Sequence, residues 1–314
     1  MAVSGSTDFS LNRDEIIDKA LELIGVKEAT ITPSTAEVTQ AAQWLNLMLK
    51  EWQTTTHNSL WVRTTGTIIL EKDKQSYNLG TGTYAARGMV SETTTDTAVV
   101  ASDTTLPVTA TTGMAVSDNI GILQDDDTIH WDTISNINAG VDVTLTNGMT
   151  SAAASGNAVY SYTNVAHRPQ KIMDAVLRDS SNNDRELTSM SQKEYMNLND
   201  KIQSSTPSQY YLDMQLGDAV VYPWPLQDSN DTQIIYKYIK HYDDMDAASD
   251  DLDFPVEWSM AIIYGLALHL ANVYAVEEDI YNRLQRVASR TFKNANKYDI
   301  EDSSMEIQPD MSGM

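Results

Sequence analysis

Two periodicities alternate along this chain. Ile16, Ile17, Ala20, Leu21 and Ile24 recur at three- and four-residue steps, the spacing of one apolar helix face. Asn12 precedes them with Glu15 three residues on, which predicts a capping box, and Leu11 with Ile16 fits the hydrophobic staple beside it. Gly25 supplies a stop. A second helix is predicted from Ser34, with Glu37 as its capping partner, carrying Val38, Ala41, Ala42, Leu45, Met48, Leu49 and Trp52 on one face. "GTIILEKDKQSYNL" (66–79) then reads as a hairpin of two short strands.

From Gly88 to His167 the period falls to two. Short alternating runs such as "NIGIL", "VDVTLT" and "NAVYSY" are separated by turn residues, among them Gly113, Asp125 to Asp127 and Asn147-Gly148. Such spacing predicts a small β-barrel or sandwich. After Pro169, "KIMDAVLRD", "PSQYYLDMQ", "AVVYPWP" and "DTQIIYKYIK" read as strands that complete a sheet with the 66–79 hairpin. Ser191 and Glu194 cap a short helix between the first two. The pattern predicts an α+β protein: a helical-bundle core with an antiparallel sheet and an inserted small β-barrel or sandwich. Its expected domains are 1–87 with 164–298 as the core, 88–163 as the inserted all-β domain, and 299–314 as an acidic C-terminal tail.

The segment from Trp258 to Val276 fits neither pattern. It is apolar all round and carries no Asp, Glu, Lys or Arg over nineteen residues. A membrane, the chain's own core or other copies of the chain could bury it. Seven acids between Asp243 and Glu257 and three more at 277–279 flank it, with no nearby cation to orient a span, and His269 and Asn272 lie within it. A membrane is therefore disfavoured. The predicted helices around it are few and each has one apolar stripe, so a neighbouring copy is expected to cover part of it.

Charge and composition narrow the function. A formal net charge of −23 repels phosphate and argues against general affinity for nucleic acid, while leaving room for a wall that DNA slides past. With no cysteine, disulfides, thiolate metal sites and a cysteine nucleophile are excluded. "MAVSGSTDFSLNRDE" has neither the basic nor the apolar region of a secretory signal. No HExxH, GxSxG, P-loop or GxGxxG occurs. The linker "DDMDAASDDLD" lacks the glycine and glutamate of an EF-hand, since Ser249 and Pro255 stand in those places. Asp125-Asp126-Asp127 reads as a hairpin tip and His269 as a hydrogen-bonded core histidine. No enzyme activity, cofactor or metal is expected. A glycan hydrolase or carbohydrate-binding component with paired carboxylates is the alternative, because spacing in sequence does not give spacing in space.

One stripe stands out. Arg283, Arg286, Arg290, Lys293 and Lys297 recur at steps of 3, 4, 3 and 4 on one face of the last predicted helix, with no acid from Ile280 to Tyr298. Solvent, an acidic protein surface or DNA phosphate could face it. The overall field favours protein over DNA.

"DEIIDKALELIGV", "ITPSTAEVTQAAQWLNLMLKEWQ" and "DLDFPVEWSMAIIYGLALHLANVYAV" followed by a basic helix resemble the helices of head-to-tail adaptor (connector) proteins of tailed bacteriophages, of the tail tubular protein A or tail accessory factor type. The resemblance covers roughly 9–87 and 164–310. It implies a structural protein of the virion, assembled in the host cytoplasm. Twelve copies would form a ring under the portal, join the filled head to the tail and leave a channel for DNA ejection. The implied partners are the portal protein, a downstream tail or nozzle protein, copies of itself, and DNA passing without specific binding; no membrane is implied. Trp44, Leu45, Met48, Trp52, Trp258, Ile262, Leu266 and Leu270 would form the packed belt. The basic stripe would dock a partner. Asp299, Glu301, Asp302, Glu306 and Asp310 would form a docking tail that orders along the portal or a neighbouring copy.

Overall fold

The computed structural model describes residues 9–27, 31–55, 60–230 and 232–298. The chain divides into two compact units: a helical unit from residues up to Val62 and from Tyr242 onward, and a β unit, Arg63–His241. The expected class is corrected. Among the described residues, fifteen strands in three antiparallel or mixed sheets, with a half-barrel, and five helices give 31% strand against 27% helix, and a helical bundle is not their core. Long helical stripes dominate the sequence pattern, but many short strands, each weak alone, carry more of the buried chain.

The helical unit holds α1 (Arg13–Leu23), α2 (Thr35–Thr55), α4 (Ser259–Val273) and α5 (Glu278–Tyr298). The capping box of α1 forms as predicted: the Glu15 amide donates to Asn12 Oδ1 at 2.9 Å, and the Asn12 amide donates to Glu15 Oε2 at 3.0 Å. Asn12→Ala removes a partner from a first-turn amide, so the unit is expected to lose about 1 kcal/mol, read as a lower urea midpoint. A midpoint unchanged within error would show that the box adds nothing. Ser34 and Glu37 form the second box, with the Ser34 amide donating to Glu37 Oε2 at 2.7 Å.

The acidic linker before α4 is tied down. The Arg13 amide donates to the Asp250 carbonyl at 2.9 Å. Asn46 exchanges hydrogen bonds with the Met245 backbone, and Lys50 reaches both the Tyr242 carbonyl (2.7 Å) and Asp244 (2.6 Å).

In the β unit, β1 (Arg63–Ile69), β3 (Ala85–Arg87), β10 (Lys171–Arg178), β11 (Asp184–Glu186) and β15 (Gln233–Ile239) form a sheet ordered β11-β10-β15-β1-β3. A second sheet, β12-β13-β14-β2, uses β2 (Tyr77–Leu79), β12 (Thr188–Met190), β13 (Gln209–Met214) and β14 (Ala219–Trp224). The expected 66–79 hairpin is therefore corrected: β1 and β2 part into different sheets and pair with β15 and β14. The two sheets share one core. Ile68, Leu177, Ile234, Tyr236 and Tyr238 of the first meet Tyr77, Leu79, Tyr210 and Val221 of the second. Residues 234, 236 and 238 show the period-two rule that puts alternate side chains on one face. The short α3 (Gln192–Met196) is capped by Ser191 and Glu194, as predicted.

The third sheet lies between residues 91 and 162. It runs β4-β9-β6-β7-β8-β5, from β4 (Ser91–Thr94), β5 (Thr105–Pro107), β6 (Asn119–Leu123), β7 (Ile129–Asn138), β8 (Asp142–Leu145) and β9 (Ala158–Tyr162). Its edges approach each other at the Thr95–Val108 bridge, so the sheet curls around Leu106, Ile120, Ile122, Val143, Leu145 and Val159. A second apolar cluster, including Ile69, Ala86, Ile129 and Tyr162, joins this curl to the first sheet. Glu71 fastens the same joint: Tyr84 Oη (2.8 Å) and the Ile129 amide (3.1 Å) both donate to its Oε2.

Candidate functional site

The site is built on α4 and the helices that cover it. Ala261, Ile262, Ile263, Leu266, Ala267, Leu270 and Ala271 are all buried. Burying one leucine or isoleucine contributes roughly 1.5–3 kcal/mol, so this helix organises the unit. Gly265 lets α2 come close: a Cβ there would lie 2.8 Å from Trp52 Cζ2 and 2.9 Å from Met48 Sδ. Trp258 is buried in an aromatic cluster with Trp52, Trp61, Phe254 and Phe292, at ring separations from 5.7 to 6.5 Å. The span Val256–Val273 has the length and composition of a membrane-crossing helix, and 56% of it is buried inside this structure.

The belt residues can now be placed. Leu45, Met48, Trp258, Ile262, Leu266 and Leu270 are at most 1% exposed and pack within one chain. Trp44 and Trp52 are half-buried; Trp44 stacks on His269, with ring centroids 6.0 Å apart. His269 is thus a half-buried stacking partner on the rim of α4 rather than a core residue. What α4 leaves uncovered is a narrow strip at four-residue spacing, Met260, Tyr264, Leu268 and Asn272, with Val273 beside it. The greater part of the uncharged helix is therefore covered by its own chain, and only this strip remains for another surface.

The basic stripe faces outward. Arg283, Arg286, Arg290, Lys293 and Lys297 are all exposed, while Leu284, Ala288 and Ala295 on the opposite side are buried. Among the described residues none of the five makes an ion pair. Arg286 Nε donates to the Asn282 carbonyl at 3.3 Å, which leaves the rest of its guanidinium turned to solvent. Among the described residues the acidic linker makes no ion pair with the stripe: its Asp244 takes Lys50, and its backbone reaches Arg13 and Asp14 of α1 and Asn46 of α2. Uncompensated like charges on one helix face repel, so the arrangement favours any acidic surface that can pair with them. Four of the five, Arg286, Arg290, Lys293 and Lys297, line a shallow cleft of about 470 Å³ along α5. Ser289 and Lys293 also line an adjoining apolar groove of about 350 Å³, walled by Trp52, Gly265, Leu268 and Phe292. That groove was not legible in the sequence, because its walls come from three helices far apart in the chain.

Other candidate chemistry is already engaged. Asp127 binds Lys72 (2.8 Å) and Asn230 (2.9 Å), Asp125 accepts from the Ala154 amide (2.8 Å), and Asp126 accepts from Thr128 Oγ1 (2.6 Å). These are the hydrogen bonds of a braced hairpin tip. Among the described residues no three His, Cys, Asp or Glu side chains gather into a metal cage. A polar cleft in the β unit brings Asp179 and Asp184 together, the arrangement a glycan hydrolase would want. Hydrogen bonds from Asn183 to Asp179 and from Arg178 to Asp184 hold both carboxyls below the usual range, the opposite direction from the raised carboxyl of a general acid. The acidic tail residues Asp299, Glu301, Asp302, Glu306 and Asp310 lie outside the described residues. Compared with known proteins, the chain matches no family model and no curated sequence.

Proposed function

We propose that this protein is a structural adaptor without catalytic activity. It joins copies of itself into a ring and docks an acidic partner on the cationic face of α5. The most specific form of this reading is a head-to-tail adaptor beneath the portal of a tailed phage, with a tail or nozzle protein on its other side. DNA passes through the lumen without specific binding, and no membrane takes part. One observation carries the proposal: five exposed cations in line on α5, with no acid partner among the described residues, in a chain of net charge −23. A protein this acidic gains little from an isolated cationic face unless something acidic docks there. The apolar groove beside it adds the desolvated contact that charge alone does not supply.

The test is Arg286→Glu with Arg290→Glu, assayed by negative-stain imaging and pull-down of co-expressed portal and adaptor. Each reversed contact is worth roughly 1 kcal/mol, so docking should weaken about tenfold or more, with a steeper loss at low salt. Both side chains are exposed, so stability should change by less than about 0.5 kcal/mol. Unchanged docking at low salt would return the stripe to solvent and remove the main support for the proposal.

A further inference from the structure

The groove and the stripe adjoin at Ser289 and Lys293, and their composition specifies an occupant: a segment that is acidic and also carries apolar side chains. We infer that this chain supplies that segment itself, and that residues 299–314 fold back onto α5 of the same molecule and cover its docking face. The inference concerns the free protein and stands whether or not the ring reading holds.

Three observations converge. The first is charge. The tail carries Asp299, Glu301, Asp302, Glu306 and Asp310 and no base, against five cations on the stripe and no acid from Ile280 to Tyr298. The second is apolar content. Ile300, Met305, Ile307 and Met311 alternate with those acids, and methionine suits an irregular groove because its side chain is unbranched and adaptable. The groove offers Trp52, Leu268, Ala288 and Phe292, with Lys293 on one rim and Glu51 as the carboxylate among its lining residues. The third is reach. The tail starts one residue beyond the end of α5, and sixteen residues extend at most about 55 Å. The stripe from Arg283 to Lys297 rises only about 21 Å, so the tail can turn and still run the length of the face.

The same molecule is favoured over a neighbour by proximity. A segment tethered this closely has an effective concentration in the millimolar range, which exceeds that of a second copy in dilute solution. The consequence is a docking face occupied by a weak internal ligand until a stronger acidic partner displaces it.

The chain has no cysteine, so two can be introduced for labelling without background. Asn282→Cys on α5 and Ser312→Cys in the tail, in the full-length protein without any partner, carry a pair of spin labels or dyes. The expected result is a short-distance population at about 0.1 M salt. It should be lost at about 1 M salt, where the screening length falls from ~10 Å to ~3 Å. It should also be lost in the Arg286→Glu, Arg290→Glu, Lys293→Glu variant, and should not depend on dilution. Neutralising the tail (Asp299→Asn, Glu301→Gln, Asp302→Asn, Glu306→Gln, Asp310→Asn) should remove it as well. A label separation indifferent to salt and to both sets of substitutions would overturn the inference. So would proximity that appears only between singly labelled chains mixed at high concentration, which would assign the tail to a neighbour.

Discussion

Trp258→Ala is expected to cost the helical unit about 3–5 kcal/mol. The side chain is 1% exposed and stands where the chain enters α4, in contact distance of four other aromatic rings. Alanine removes the largest fully buried side chain among the described residues, and the surrounding rings are too rigid to close the void. Each tilted or edge-on pair adds roughly 0.5–1.5 kcal/mol beyond its area, so the loss should lie toward the upper end. Against a total stability of about 5–15 kcal/mol, that leaves the unit near its threshold. The measurement is urea unfolding followed by circular dichroism at the helical band, which reports α1, α2, α4 and α5 far more than the β unit. Trp258→Phe keeps a ring in place and should lose much less. A loss under about 1 kcal/mol for the alanine variant would mean that the cluster is not the core of this unit.

Gly66→Val should act with comparable force on the other unit. Gly66 lies on β1 directly opposite Tyr236 of β15, whose ring approaches it closely. An added Cβ would run into the Tyr236 ring and come within 2.5 Å of its hydroxyl. Tyr236 is itself buried at 1% and packed against Tyr238 at 5.3 Å, so it has nowhere to go. Overpacking of this kind costs about 1–3 kcal/mol and more when the neighbour cannot move. The barrel repeats the arrangement where Gly121 faces Trp131, an aromatic side chain filling the space over a glycine in the opposite strand. The comparison is Gly217→Val, where a new Cβ meets nothing within 4 Å. Thermal unfolding followed by near-ultraviolet circular dichroism should show a drop for Gly66→Val that Gly217→Val lacks. Equal drops would show that the close approach of Tyr236 is not the cause.

Taken by itself, the amino-acid sequence determined whatever depends on neighbours a few positions away. The boxes at Asn12/Glu15, Ser34/Glu37 and Ser191/Glu194 were legible because a cap is a contact between residues three apart. The cationic face of α5 was legible because helix period alone decides which side chains share a face, and the burial of α4 because a segment apolar all round has no face to give to water. Tertiary structure decided the rest. Alternation places residues 234, 236 and 238 on one side of a strand, but it does not say that β15 runs between β1 and β10, or that β2 leaves β1 for β14. Strand partners are chosen by packing across long separations, and a period of two names a face without naming what it meets. For the same reason the predominance of β structure, the fit of Tyr236 over Gly66 and the groove between α2, α4 and α5 had no local signal. Whether the uncharged helix needed a second molecule was likewise a question of how completely three distant helices close around it. Only their packing answers it, leaving uncovered little more than the strip from Met260 to Asn272.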